Sequence, residues 1–158
     1  MRNLENKLNA VMWFIIAEGE QERDRARDTV LGLLEAPKVP DCRDREIRNK
    51  LLELGVPDHL KGHGFLISAI SMVCREPRLT GAITTELYPA IAAQHGETPS
   101  RVERAIRHAV EVCWERGDLD VLQKYFGNTV SASRGKPTNG EFIARMSNIV
   151  KQRLREAA

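Results

Sequence analysis

The sequence has few aromatic residues and few cysteines, and each shortage excludes a class of protein. Aromatic side chains make up only 5% of the 158 residues, so the core must be built mainly from aliphatic side chains. The three cysteines, Cys42, Cys74 and Cys113, are widely spaced and form no CxxC pair. This pattern argues against a disulfide framework and against a zinc ribbon. We interpret all three as reduced thiols and expect Cys113 to lie in the core.

Long hydrophobic runs are also missing. The longest strongly apolar segment, AVMWFIIA at 10–17, is far shorter than the ~20 residues that a membrane-spanning helix needs. Charged sequence follows it directly, without the small-residue cleavage site of a signal peptide. We therefore predict a soluble, cytoplasmic protein that makes no membrane contact.

The sequence lacks the patterns that catalysis and cofactor binding require. It has no Ser/His/Asp or Cys/His arrangement and no glycine-rich phosphate loop, since GKPTNG lacks the first glycine of a P-loop. His59 and His63 have a helical metal-ligand spacing. Pro57, Gly62 and Gly64 argue against a regular helix there, and no further ligands join the pair. We predict no enzyme, no metal site and no cofactor.

Helical periodicity runs along the chain and no useful β alternation appears, which predicts an all-α fold. An apolar helical stripe extends over Leu4–Ile16. The segment APKVPDC forms the clearest linker, and a further helix is predicted at about 42–54. We predict a helical N-terminal module over residues 1–52 and a multi-helix domain over residues 53–158. The module either folds onto itself or the main domain, or mediates homodimerisation or regulation.

A short helix (YPAIAAQHG), a tight turn (GETP) and a longer helix (SRVERAIR) form a helix-turn-helix pattern. Thr98 is a good N-cap, and Pro99 suits the first helical position because it needs no backbone N–H there. Apolar residues of the longer helix recur with the spacing of one buried face, and these are Val102, Ala105, Ile106, Ala109, Val110 and Cys113. The charged residues must then lie on the opposite face.

The first turns of this charged face carry groups that can read DNA bases. Arg101 and Arg104 can each donate two hydrogen bonds to guanine, and Glu103 can accept one from cytosine. The alternative is an ordinary solvated helix whose charges pair four residues apart, such as Glu103 with Arg107. Sequence spacing alone leaves both interpretations open.

Further basic groups favour an anionic partner. Arg107 and His108, one turn later, would face flanking phosphates, and Lys136 in a polar loop could hold a DNA strand. The charge is uneven along the chain, because residues 1–58 sum to −2 and residues 59–158 to +4. This asymmetry indicates that the C-terminal part meets something anionic, such as double-stranded DNA.

Longer segments resemble a known family. SRVERAIRHAVEVCWERG, preceded by LYPAIAAQHGETP and followed by FGNTVSASRGKPTNGEFIA, is similar to the DNA-binding effector domain of the stage-zero sporulation master regulator of endospore-forming bacteria. LGVPDHLKG and AISMV add to the likeness, which covers roughly residues 53–150. The resemblance implies a six-helix transcription factor domain that binds short boxes similar to TGTCGAA, often in tandem.

The resemblance also implies residue roles. Arg101, Glu103 and Arg104 match base-reading positions. Positions near the DNA backbone are matched by Ser100, Arg107, His108 and Lys136. The segment from Leu119 through Leu122 to Phe126 matches the surface through which the family contacts the RNA polymerase sigma subunit, although these residues would equally suit the edge of a core.

The N-terminal part departs from the family pattern. The family protein normally carries a receiver domain of roughly 120 residues, whereas residues 1–52 are shorter and show no strand pattern. We therefore expect no phosphoacceptor aspartate in this chain. A second hypothesis follows, in which the protein is an interaction module that pairs with itself or with a full-length regulator.

Overall fold

The computed structural model of the chain describes residues 41–127 and 135–158. Within these ranges six α-helices form, and they are α1 (Cys42–Glu53), α2 (Lys61–Arg75), α3 (Tyr88–His95), α4 (Pro99–Arg116), α5 (Leu119–Phe126) and α6 (Asn139–Glu156). A 3-10 helix, Pro77–Gly81, and a π-helical turn, Ile83–Leu87, connect α2 to α3. The described ranges contain no strand, so the predicted all-α class is confirmed. The predictions for residues 1–40 lie outside the described residues.

Helix α1 packs into the same core as the helices that follow it. Ile47 and Leu51 are completely buried, and α1 contacts both α2 and α6. Residues Cys42–Ala158 accordingly form one compact unit. The boundary predicted between residues 52 and 53 falls at the end of α1. It would assign α1 to the N-terminal module, although α1 packs into the core of the main domain.

The start of α2 differs from the sequence-based expectation. Gly62 and Gly64 argued against a regular helix, yet both lie in the first turn of α2. Gly62 packs directly on α4, where an added Cβ would lie 2.1 Å from the backbone oxygen of Ala105. Tertiary packing therefore overrides the low helix propensity of glycine, because only glycine lets the two helices approach this closely.

The predicted helix-turn-helix is present as α3, a short turn and α4. Gly96 ends α3 in the left-handed conformation, with φ of 65°, which glycine adopts without steric cost. Thr98 caps α4, and its side chain accepts a hydrogen bond from the backbone nitrogen of Arg101 at 3.4 Å. Pro99 takes the first helical position. The turn sequence therefore specifies where α3 ends and where α4 begins.

The core is mainly aliphatic and is centred on α2, α4 and α6. One aromatic cluster supplements it, in which Phe126 stacks on Phe142 at 5.3 Å between ring centroids and meets the edge of Trp114 at 5.1 Å. Cys113 is buried as predicted, and burial raises the pKa of its thiol to about 12. Among the described residues, no helix has the length and apolar character to cross a membrane.

Candidate nucleic-acid interface

Helix α4 has one buried face and one charged, exposed face. Five of the six apolar positions predicted to be buried are buried, and Ala105 is half-buried. Arg101, Arg104, Arg107 and His108 are all exposed. At about 100° per residue, Arg104 lies at the centre of the exposed face, with Arg101 and His108 toward one edge and Arg107 toward the other.

One open groove runs along the edge that carries Arg101 and His108. Its volume is about 720 Å³, and Lys61 and Phe65 of α2 form its far wall. Arg104 also lines it. The groove thus brings two predicted base-reading arginines beside a lysine from a different helix.

Arg101 has an acidic neighbour in the turn before α4. Its guanidinium lies 3.4 Å from a carboxylate oxygen of Glu97, and the other oxygen of Glu97 accepts a hydrogen bond from the Lys61 ammonium at 3.0 Å. The pKa of the Glu97 carboxyl is lowered from its usual value, mainly by the hydrogen bond from Lys61 and next by the one from Arg101. The Arg104 side chain, by contrast, has no hydrogen bond or ion pair within residues 41–127 and 135–158.

A second groove, of about 570 Å³, lies along the other edge of α4. Glu103 and Arg107 line it and form an ion pair with each other, four residues apart on the helix. The side chain of Asn139, at the start of α6, donates to the backbone oxygen of Glu103 at 3.2 Å and to the Tyr88 hydroxyl at 3.1 Å. Asn139 therefore ties α4 to both α3 and α6 at the level of Glu103.

Lys136 lies near α4 but is engaged within the chain. Its ammonium donates to a carboxylate oxygen of Glu111 at 2.7 Å, and this bond holds the pKa of the Glu111 carboxyl below its usual value. The indole N–H of Trp114 donates to the backbone oxygen of Gly135 at 2.6 Å. This bond anchors the residue that directly precedes Lys136. Ser100 is exposed in the first turn of α4. The roles predicted for these residues in DNA binding remain predictions.

The longer helix of this helix-turn-helix thus exposes a face rich in basic residues. The chain matches, over residues 47–150, the family described as Sporulation initiation factor Spo0A C terminal. It belongs to this family. The matched range starts within α1 and ends within α6, so it reaches into all six helices.

Membership of the Spo0A C-terminal family sets the broad function. The family is one of DNA-binding regulatory domains that act in sporulation, and it is not a catalytic family. The predicted resemblance and the predicted assignment to DNA binding and transcription regulation are therefore confirmed. DNA is the partner that the family implies.

The segment predicted to contact the polymerase forms α5, which has one buried face and one exposed face. Leu122 is only 5% exposed and Phe126 only 2%, because both pack into the core against the aromatic cluster. Leu119 is 78% exposed at the start of the helix. Of the three predicted contact residues, only Leu119 exposes its side chain, and the other two pack in the core.

Sequence reasoning missed three polar residues of this region. Lys61 and Asn139 contact the helix-turn-helix from positions far from it in sequence, and Glu97 lies in its turn. Glu97 stands four residues before Arg101, a spacing that does signal an ion pair on a helix. The side chains of His59 and His63 lie in different environments. His59 is exposed, whereas His63 is buried and its ring is hydrogen-bonded to the backbone oxygen of Val56.

Proposed function

We propose that the protein regulates transcription by binding double-stranded DNA with α4 in the major groove. Arg101, Glu103 and Arg104 would read base edges in boxes similar to TGTCGAA. The observation that carries the proposal is the exposed front of α4, where Arg104 projects without an intramolecular partner in the described part of the chain. A buried or fully paired front would leave nothing to read bases.

Each base-reading role follows from hydrogen-bond geometry. An arginine donates two parallel hydrogen bonds that match guanine O6 and N7, and a glutamate accepts from cytosine N4. The Arg101 side chain is 76% exposed, and it reaches DNA by leaving the Glu97 carboxylate, which lies 3.4 Å away. Arg104 leaves no partner, so we assign it the largest share of base discrimination.

Sequence-independent affinity would come from the groups around these three. Ser100, Arg107 and His108 lie in the first three turns of α4, and Lys136 lies beside Glu111 further along it. All four would contact phosphates, which positions the helix without reading sequence. Lys136 would exchange Glu111 for a phosphate. In this class of interface, phosphate contacts supply much of the affinity and make it depend on salt.

The test of base readout is Arg104→Ala, with Arg116→Ala as its control. Arg116 is an exposed arginine on the same helix, twelve residues or roughly 18 Å further along. We expect Arg104→Ala to weaken binding to a box-containing duplex by about 1–3 kcal/mol, and to weaken binding to a scrambled duplex much less. Arg116→Ala should change neither. An equal loss on both duplexes for Arg104→Ala would show that this residue does not read bases.

We further propose that α5 contacts RNA polymerase through its exposed start. Leu119 is the apolar group available there. Leu119→Ser should reduce activation in a transcription assay that uses the purified polymerase, while the affinity for the box duplex stays unchanged. Reduced DNA affinity, or unchanged activation, would contradict this role.

A further inference from the structure

Lys61 is a basic residue that lies outside the helix-turn-helix but lines the groove beside Arg101 and His108. It is the first residue of α2, and it lines the groove with Arg101, Arg104 and His108. Its side chain is 76% exposed. The groove therefore has a positive group on each of its two walls.

The position of Lys61 is fixed relative to α4. The next residue, Gly62, packs against the backbone of Ala105 so closely that no Cβ would fit. Phe65, one turn further along α2, is buried and also lines the groove. Close packing at Gly62 therefore holds the first turn of α2 against α4, which places Lys61 beside the exposed face of α4.

Helix stability does not account for a lysine at this position. A positive side chain in the first turn of a helix opposes the helix dipole, and the first turn of α2 holds no acidic residue. The stabilising partner comes instead from the turn of the helix-turn-helix, as Glu97. One carboxylate thus holds two cations, Lys61 and Arg101, on the same side of the molecule.

We propose that Lys61 is a further contact to the DNA backbone, and that Glu97 is its counterion in the free protein. The inference rests on the proposed binding of DNA by α4. When the duplex enters, a phosphate replaces Glu97 as the partner of Lys61, while Arg101 turns to the base edges. Lys61 then adds affinity without sequence preference, and Glu97 lowers affinity without sequence preference.

The first test is Lys61→Gln, compared with Lys124→Gln. Lys124 is an exposed lysine on α5 that lines neither groove beside α4. Lys61→Gln should raise Kd by about two- to fivefold on box and scrambled duplexes alike, as expected for one exposed ionic contact. The slope of log K against log salt should become shallower by about 0.9. Between 50 and 200 mM salt, the wild type should then lose about 3.5-fold more affinity than the variant.

The second test is Glu97→Gln, compared with Glu156→Gln. Glu156 is an exposed, ion-paired glutamate at the opposite end of α6 from Asn139. Glu97→Gln should lower Kd on both duplexes, because Lys61 and Arg101 no longer leave a carboxylate to reach DNA. In the Lys61→Gln background this gain should shrink, since one of the two cations is gone. Glu156→Gln should leave Kd unchanged.

The outcomes separate this inference from the proposed function. If the wild type does not prefer the box duplex, base readout fails, while the salt slope of Lys61→Gln still tests the backbone contact. If Lys61→Gln changes Kd and slope no more than Lys124→Gln, the Lys61 contact is refuted. A loss confined to the box duplex, in either Lys61→Gln or Glu97→Gln, would also overturn it, because these residues would then position Arg101. Thermal unfolding of each variant confirms that it is folded.

Discussion

His63 is a buried titratable residue whose neutral form the fold requires. It is 2% exposed, and because a carbonyl oxygen only accepts, its Nδ1–H donates to the Val56 oxygen at 3.2 Å. The other ring nitrogen, Nε2, is buried without a hydrogen-bond partner in the described residues. Burial is the main cause that lowers the pKa of His63, and the positive charge of Arg48 adds to it.

This lowered pKa predicts that the domain loses stability in mild acid. Below the unfolded pKa of about 6.5, the unfolded chain binds a proton that the folded chain does not, so the free energy of unfolding falls as pH decreases toward the folded pKa. Above pH 6.5 this loss is absent. Urea unfolding at pH 7.5 and 5.5 measures it, and His63→Gln should reduce the difference whereas His59→Gln, at an exposed position, should not. Parallel pH dependence of His63→Gln and the wild type would contradict the assignment.

At the scale of helices, the contact between α2 and α4 positions the exposed, charged face of α4. Two glycines in one turn of α2 make this testable. A Cβ at Gly62 would lie 2.1 Å from the Ala105 oxygen and 2.8 Å from the Ala109 Cβ, whereas a Cβ at Gly64 would meet no atom within 4 Å. The two positions share helix propensity and differ only in what surrounds them.

We predict opposite effects of alanine at these two positions. Gly62→Ala should destabilise the domain by about 1–3 kcal/mol or more, because α2 and α4 must move apart. Gly64→Ala should stabilise it by up to about 1 kcal/mol, because alanine favours the helix and fits without contact. Urea unfolding measures both values. Similar values for the two variants would show that the close approach of α2 to α4 does not limit stability.

The same helices show which features sequence alone can predict. The start of α4 was predictable because Thr98 and Pro99 act locally, and its buried face was predictable because periodicity reflects one neighbouring core. The start of α2 was not, since the reason for Gly62 lies on α4, 43 residues later in the chain. Local sequence signals thus predict where most helices begin and end. Positions such as Gly62, which depart from those signals, are explained only by contacts between helices.

The candidate site divides in the same way. Arg101, Glu103 and Arg104 were predicted from their helical spacing and from the family resemblance. Their intramolecular partners were harder to predict, because Lys61 lies 36 residues from Glu97 and Asn139 lies 36 residues from Glu103. For α5, sequence left core and surface open, and burial assigns Leu122 to the core.

At the scale of the whole molecule, α1 determines where a stable fragment can begin. A fragment of residues 53–158 would lack Ile47 and Leu51, both fully buried, and each such side chain is worth about 2–5 kcal/mol. Their combined loss approaches the 5–15 kcal/mol that typically stabilises a domain. We predict that residues 41–158 fold and bind the box duplex, and that residues 53–158 are largely unfolded even without denaturant. Urea titration of both fragments measures this difference. Equal stability of the two fragments would show that α1 is dispensable.

The stable fragment also tests the predicted homodimer. Because the buried face of α1 is already used within the domain, we expect dimerisation through the predicted N-terminal module to depend on residues 1–40. Light scattering should then give a dimer for the full chain and a monomer for residues 41–158. The dimer should bind two tandem boxes more tightly than one, since the second contact becomes intramolecular, and the fragment should lose this advantage. If the full chain and the fragment are both monomers, the predicted homodimer is refuted.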